Sequence, residues 1–200
     1  QISFLWYIKR DMGAVNKVFR GLASQYYGPE ESLFPLKEKP WIATLDTFAI
    51  GGGCQYLLVM DHIMAEKGSY MTLPARKEGI IPGMANLRLW RFTGDRIARQ
   101  AIQNGLTIHS DSEEGKLICD EIVEKGNMDK KLLETIDAYT NSGVVGSASN
   151  RRAFRIGQEP LDTFRKYMSA YCHDQAYCHF SDALIKNLEH YWNAASRPVK

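Results

Sequence analysis

Three consecutive glycines, Gly51–Gly53, lie between a strand-like run and a helix-like run, and this junction limits what the chain can fold into. The run before the glycines, WIATLDTFAI (41–50), mixes β-branched and aromatic residues and predicts a buried strand. The run after them, GCQYLLVMDH, predicts a helix that is apolar nearly all round and therefore buried. The junction thus predicts a strand, a tight glycine turn and a helix.

Such a turn has a specific chemical use. Glycine adopts positive φ and lets the backbone approach a ligand closely. The first N–H groups of a helix have no intrahelical partner and lie at the positive end of its dipole. A carbonyl oxygen placed there is polarised, and an oxyanion is stabilised. The glycines alone also fit a packing turn without a chemical role.

The remaining pattern predicts an α/β core followed by a helical tail. An apolar stripe at helical spacing, from Leu5 to Leu22, predicts an amphipathic helix over residues 2–22. The other predicted segments are a loop over 24–40, two short strands in 63–74 around Gly68, a loop and helix over 78–94 that ends at Gly94, a helix over 95–104 closed by Gly105, a short helix over 111–116, a strand over 118–124 and helices over 128–195. We expect a core over 1–125 and a helical region over 126–200.

The composition excludes several classes of protein. A chain of 200 residues suits one domain with a substantial core, and a net charge of +2 gives no reason to expect a nucleic-acid partner. No apolar run approaches the ~20 residues of a membrane helix, and no signal peptide is recognisable. Four scattered cysteines favour free thiols in a reducing cytoplasm. The chain begins with Gln1 inside a predicted helix, so we expect it to lack its N-terminal part.

Residues 39–105 resemble the crotonase (enoyl-CoA hydratase/isomerase) superfamily. The resemblance implies a spiral of ββα turns, a coenzyme A thioester substrate and assembly into trimers or hexamers. It also implies that the N–H of Gly52 is one of two groups that hold the thioester oxygen. The matching positions are Lys39-Pro40, Gly51-Gly52-Gly53-Cys54, Asp61, Pro74, Gly79-Ile80-Ile81-Pro82-Gly83, Leu89, Arg91 and Gly94.

Two positions argue against a hydratase. The hydratases of the superfamily carry two glutamates, and the matching residues here are Gln55 and Ala75. Addition of water by general acid–base catalysis needs groups that can take and give a proton. Neither an amide nor a methyl group can do so.

A longer resemblance, over most of the chain, is to the cofactor-independent dioxygenases of the same superfamily. It rests on the segments IGGGCQ, EGIIPG, NLRL, GDRIARQAI and QAYCHFSDALIKNLEH. It implies that a (3,5-dihydroxyphenyl)acetyl-CoA enolate, held at Gly52, reduces O2 without metal or flavin and yields an arylglyoxylate, a precursor of dihydroxyphenylglycine. CoA is then part of the substrate, and no cofactor is expected.

The same resemblance supplies the other candidate site residues. It places Ile50, Gly51, Gly52 and Gln55 at the substrate. Gln55 would donate a hydrogen bond to the peroxide or thioester, although a purely structural amide at the helix start also fits. Arg10 would hold a ring hydroxyl, although it lies about opposite the apolar stripe of its helix, where a solvated arginine also fits.

Two other kinds of function remain open at this point. Another crotonase-like enzyme, such as a thioesterase or isomerase, is consistent with the absence of glutamates at positions 55 and 75. A non-catalytic CoA-binding subunit is equally consistent with it, since such a subunit needs neither glutamate.

Two further clusters carry less weight. Cys172, His173, Cys178 and His179 cannot converge on one metal ion, since the best-aligned pair, Cys172 and His179, lies ~10.5 Å apart along a helix. We therefore predict no metal site. Arg151, Arg152 and Arg155 lie close together and fit either an oligomer contact or a contact with the phosphates of CoA.

Overall fold

A computed structural model describes residue 21, residues 38–141 and residues 143–195 of the chain. The helix predicted over residues 2–22 and the candidate Arg10 lie outside the described residues. Among the helices that are described, none has the length and apolar character needed to cross a bilayer.

The described strands form two small sheets. One sheet has the order β1-β3-β6 and is parallel throughout. The other has the order β2-β4-β5, with β2 parallel to β4 and β5 antiparallel to it. The strands are β1 (Ile42–Leu45), β2 (Phe48–Ile50), β3 (His62–Glu66), β4 (Tyr70–Thr72), β5 (Ile108–His109) and β6 (Glu121–Val123).

The described helices lie between the strands and, beyond residue 127, follow one another along the chain. They are α1 (Gly52–Leu57), α2 (Ala75–Glu78), α3 (Ala85–Arg99), α4 (Met128–Thr140), α5 (Val144–Gln158), α6 (Leu161–His179) and α7 (Asp182–Ala195). A π-helical segment, Gln100–Asn104, continues α3, and a 3-10 turn covers Gly115–Leu117.

The strand predicted over 41–50 is two strands, so this prediction was wrong. The chain bends at Asp46 and Thr47, and β1 and β2 belong to different sheets. The Thr47 carbonyl accepts the N–H of Tyr70, which starts the pairing of the second sheet. A bend lets one apolar segment line both sheets, because the buried Leu45 lies in one and the buried Ala49 in the other.

The helix predicted from Gly53 to His62 is shorter than expected. Helix α1 ends at Leu57, and His62 begins β3. The Asp61 N–H donates to the Trp41 carbonyl, and the Asp61 carboxylate accepts the Trp41 N–H at 2.7 Å, so this segment is recruited into the sheet beside β1. The helix is also not apolar all round, since Tyr56 is exposed.

Glycine conformations confirm two predicted boundaries. Gly94, with φ 76° and ψ 163°, breaks the helical geometry within α3, where the sequence predicted one helix to end and the next to begin. Gly105 adopts φ 71° and closes the segment that ends at Asn104. The predicted short helix over 111–116 is instead the 3-10 turn slightly further along.

The largest apolar cluster lies between the two sheets, α1 and α3. Among the residues that the structure describes, its buried members all lie between Leu45 and Cys119. Two smaller clusters join the helical region to this core. One contains Met64, Val123 and Met128, and the other contains Met84, Phe164 and Met168.

Candidate active site

The glycine turn is open on its outer side. Gly51 has φ 55° and ψ −110°, and its N–H donates to the Thr72 carbonyl at 2.9 Å. Its carbonyl accepts the Gln55 N–H, which starts α1. Among the described residues, no atom lies within 4 Å of a methyl group added at Gly51 or Gly52, so none of them blocks the approach of a ligand to this backbone.

Gln55 lies in the first turn of α1 and is buried, with 8% of its surface exposed. Its Oε1 accepts the N–H of Met84 at 2.9 Å, at the start of α3. Because a backbone N–H can only donate, this contact fixes which side of the amide is oxygen. The remaining polar atom is Nε2, which carries two N–H donors and cannot take up a proton under ordinary conditions.

Gly83 packs directly against this amide. It has φ 44°, and a methyl group added there would lie 2.4 Å from Gln55 Oε1. Only glycine combines this left-handed backbone with the absence of a side chain. The loop that carries Gly83 therefore forms the wall against which Gln55 is oriented.

Ala75 is the residue at the other position where hydratases carry an acid. It is buried at the start of α2, directly after Pro74. Its side chain is a methyl group and offers neither a proton nor a hydrogen bond.

Ile50 and Phe48 form an apolar surface beside the turn. Both point to the outer face of β2 and are exposed, Ile50 to 43%, while Ala49 between them points into the core. The Phe48 ring lies 5.9 Å from the ring of Tyr70, and Tyr70 lies 6.2 Å from His109. The candidate Ile50 is thus adjacent to Gly51 and accessible.

Helix α6 holds the loop that carries Gly83. The Ile81 N–H donates to Gln175 Oε1 at 3.0 Å, and the Tyr167 hydroxyl donates to the Gly83 carbonyl. These contacts join residues 94 and 84 positions apart, and no pattern in the sequence predicted either of them. Periodicity predicted the helix, but it carries no information about a partner so distant in the chain.

A buried ion pair fastens the end of α5 to α3. Arg88, with 1% of its surface exposed, donates from Nε and Nη2 to the two carboxylate oxygens of Glu159 at 2.8 and 2.6 Å. Arg91 adds a third contact at 3.3 Å. Burial alone raises the pKa of Glu159, but the hydrogen bonds from Arg88 and the charges of Arg88, Arg155 and Arg91 outweigh it and hold the pKa below its ordinary value.

Arg151 is an internal residue. It donates to Asp61 at 2.5 Å and to Glu38 at 2.7 Å, and its guanidinium lies 4.9 Å from the centre of the Trp41 ring. Its charge is met by two carboxylates within the chain, so these contacts do not support a role of Arg151 in binding CoA phosphates or another subunit. Burial lowers the pKa of Arg155, which is also buried, to about 10.

The cysteines are free thiols, as predicted, and Cys54 and Cys119 are buried. Burial raises the pKa of each of these two to about 12, so both stay protonated and unreactive at neutral pH. Within the described ranges, no group of three or more His, Cys, Asp and Glu side chains is arranged to hold a metal ion.

A cavity of about 720 Å³ lies away from the glycine turn. It adjoins the residues that follow α1, including Leu58 and Met60, and faces Arg151 and Phe154 of α5. Neither Gly52 nor Gln55 lines it. The volume of this cavity therefore does not describe the space at the glycine turn. The candidate site is defined by the accessible backbone of the turn and by the oriented amide of Gln55.

The model of the enoyl-CoA hydratase/isomerase family matches residues 23–163. The chain belongs to this family. It is 41% identical over 175 residues to the (3,5-dihydroxyphenyl)acetyl-CoA 1,2-dioxygenase of Amycolatopsis orientalis, a match that covers 88% of this chain and 38% of that protein. It is 28% identical over 150 residues to the short-chain-enoyl-CoA hydratase of Clostridium acetobutylicum, covering 74% of this chain and 53% of that protein.

Solved structures of the family have the same fold. The enoyl-CoA hydratase/isomerase of Pseudoalteromonas atlantica superposes with a TM-score of 0.70 at 16% identity, over 86% of this chain and 70% of that one. The carnitinyl-CoA hydratase of Mycobacterium avium superposes with a TM-score of 0.68 at 20% identity, over 78% of this chain and 60% of that one. The predicted crotonase-like α/β core with helical extension is thereby confirmed. The chain spans roughly two fifths to three fifths of the curated relatives it matches.

Proposed function

We propose that the protein is a dioxygenase that converts (3,5-dihydroxyphenyl)acetyl-CoA and O2 into 3,5-dihydroxyphenylglyoxylate and free CoA without metal or flavin. The likeness to the Amycolatopsis orientalis dioxygenase over 88% of the chain supports this reaction. The structural observation that carries the proposal is the orientation of Gln55. Its oxygen is occupied by Met84, so it offers N–H donors where the hydratases of the family carry an acid.

The glycine turn holds the substrate in this proposal. The Gly52 N–H donates to the thioester oxygen and stabilises the negative charge that develops there in the enolate. Gly51 and the exposed side chain of Ile50 contact the acyl part of the substrate, because both adjoin the open side of the turn. Arg10, outside the described residues, binds a ring hydroxyl.

The reaction follows from the electron-rich enolate. A base removes a proton from the carbon next to the thioester, and the enolate transfers electrons to O2, forming a C–O bond and a peroxide. The outer peroxide oxygen attacks the thioester carbon and expels CoA as a thiolate. A base then takes the second proton from the carbon that was next to the thioester as the O–O bond breaks. The C–H electron pair forms the ketone and the O–O electron pair stays on the carboxylate oxygen, so both oxygen atoms of O2 enter the product.

Gln55 suits these reaction steps better than an acidic side chain does. A carboxylic acid beside the enolate would protonate it before O2 reacts, whereas an amide donates a hydrogen bond and keeps its proton. Ala75 removes the second group that a hydratase would need. The base is therefore a group other than these two residues.

The assembly and the setting of the enzyme belong to the same proposal. The helical region over 126–200 packs subunits into a trimer or hexamer and closes the active site, and the enzyme works in the cytoplasm in dihydroxyphenylglycine biosynthesis. Exposed apolar side chains just after α6 and on α7, such as Phe180 and Leu188, support the packing role.

Oxygen consumption tests the reaction. With (3,5-dihydroxyphenyl)acetyl-CoA and the full-length protein, we expect one O2 consumed for each CoA thiol released. Thiol release without O2 uptake would instead identify a thioesterase. Tight CoA binding with neither signal would identify a non-catalytic subunit, and a stoichiometric metal or flavin in the active protein would contradict the cofactor-independent mechanism.

Two variants test Gln55. Gln55→Glu keeps an oxygen for the Met84 N–H but replaces the N–H donor with an acceptor, whereas Gln55→Ala removes both contacts. We expect kcat to fall by at least about tenfold in each, with KM changing much less, because the lost donor acts on the reacting atoms. An unchanged kcat in Gln55→Glu would reduce Gln55 to a structural residue.

A further inference from the structure

The loop over residues 80–84 is fixed by contacts from two directions. From the core, the Ile80 N–H donates to the Ala75 carbonyl at 2.9 Å. From α6, Gln175 accepts the Ile81 N–H and Tyr167 donates to the Gly83 carbonyl. The α6 contacts thus hold the loop on both sides of Pro82.

The polarity of both α6 contacts is determined by chemistry. The Ile81 N–H requires the oxygen of Gln175, so Gln175 Nε2 faces His179 Nε2, at 3.1 Å, and donates to it. Burial lowers the pKa of His179, which favours the neutral ring that can accept this bond. Burial raises the pKa of Tyr167 to about 12, so its hydroxyl keeps the proton that it donates to Gly83.

The loop in turn determines the direction of the Gln55 amide. Gly83 lies against the amide, and the Met84 N–H binds its oxygen. Met84 itself is buried against Phe164 and Met168 of α6. A shift of this loop therefore moves the Gln55 amide with it, through both packing and the hydrogen bond.

We propose that Tyr167 and Gln175 are positioning residues that set the orientation of Gln55 through the loop over residues 80–84. In this inference α6 orients the N–H donor of Gln55. Its effect on catalysis rests on the proposed function. It gives the helical region a role that is separate from subunit packing. Misplacing a catalytic group by about 1 Å can cost roughly 100-fold in rate.

Tyr167→Phe removes one hydroxyl and leaves the packing of the ring. We expect kcat of the full-length protein to fall about tenfold while KM for the thioester changes less than about twofold, because in the proposed function Gln55 acts on the reacting atoms. Tyr177→Phe is the matched control, since Tyr177 is on the same helix and 79% exposed, and it leaves both constants unchanged.

A conservative pair tests Gln175. Gln175→Glu keeps an oxygen for the Ile81 N–H, whereas Gln175→Met does not. We expect Gln175→Met to lower kcat as Tyr167→Phe does and Gln175→Glu to retain most of the wild-type kcat. Equal losses in the two variants would overturn the proposed contact with Ile81.

Amide hydrogen exchange measures the positioning without any activity. The Met84 amide reports directly on the bond to Gln55, so Tyr167→Phe should speed its exchange about tenfold while the amides of β1 and β3 keep their rates. Unchanged exchange at Met84 would overturn the inference even if kcat falls. Faster exchange in a protein that consumes no O2 would uphold the positioning role and reject the proposed reaction.

Discussion

The core over residues 38–123 and the helices over 128–195 are held by different kinds of contact. The core is joined by strand pairing and by an apolar cluster to which the described side chains of the later helices contribute no buried member. The helical region is fastened to the core by small apolar clusters and by polar side chains, above all the buried Glu159, Arg151 and Gln175 and the half-buried Tyr167.

This difference determines how each region responds to substitution. Apolar packing has little directionality and tolerates changes that conserve volume. A buried ion pair or hydrogen bond is directional, and removing one partner leaves the other desolvated and unpaired. We therefore expect the connection between the regions to be more sensitive to a change of a few atoms than the interior of the core.

Glu159→Gln should give the largest effect on stability. It leaves the Arg88 guanidinium, 1% exposed, without its carboxylate, and we expect a loss of about 3–5 kcal/mol in the free energy of unfolding. Urea denaturation measures this loss. The control is Asp95→Asn, which breaks an exposed pair with Arg99 and should cost less than about 1 kcal/mol. Similar losses in the two variants would break the comparison.

The same ion pair predicts that the free energy of unfolding falls at acidic pH. We expect this loss to be smaller than the loss caused by Glu159→Gln. The folded protein holds the pKa of Glu159 below the ordinary value of 4.5, so the stabilisation is present above that value and is lost as the pH falls through the lower, folded pKa. We expect wild-type stability to fall more steeply than that of Glu159→Gln below pH 4.5. Denaturation from neutral pH into this range measures both slopes, and parallel curves would contradict the prediction.

Gly83→Ala should impair both stability and turnover. The new methyl group would lie 2.4 Å from Gln55 Oε1, and alanine would have to adopt a positive φ. We expect the free energy of unfolding to fall by about 1–3 kcal/mol. Thermal denaturation and steady-state kinetics measure the two effects. Gly146→Ala in α5 is the control, because a methyl group there meets no atom of the described part of the chain within 4 Å and alanine favours the helix. Wild-type kcat in Gly83→Ala would show that the loop does not orient Gln55.

Local signals predicted the parts of the fold that depend on neighbours in sequence. Gly51–Gly53 predicted the turn, and Gly94 and Gly105 predicted helix boundaries, because glycine permits backbone angles that other residues avoid. The bend at Asp46–Thr47 and the end of α1 at Leu57 escaped prediction, since both depend on pairing with strands elsewhere in the chain.

The residues of the candidate site also divide into those that the sequence predicted and those that only the tertiary fold brings together. The resemblance to the family identified Gln55 and Ala75 as the positions where its hydratases carry glutamates, and the structure describes what surrounds each of them. The residues that orient Gln55, Tyr167 and Gln175, come from a helix more than 80 positions further along. A helical periodicity shows that such residues form a helix, but the contact itself is a property of the tertiary fold. Arg10 stays a prediction.

Leu89→Met should give the smallest effect and tests the tolerance of the core. Leu89 is fully buried in the largest apolar cluster, and methionine has a similar volume and an adaptable side chain. We expect a loss below about 1.5 kcal/mol by urea denaturation. Glu159→Asp is the matched conservative change at the connection between the regions, and it should cost more, because the shorter side chain cannot keep both bonds to Arg88. A larger loss in Leu89→Met than in Glu159→Asp would reverse the comparison, since packing within the core would then be the more exacting of the two.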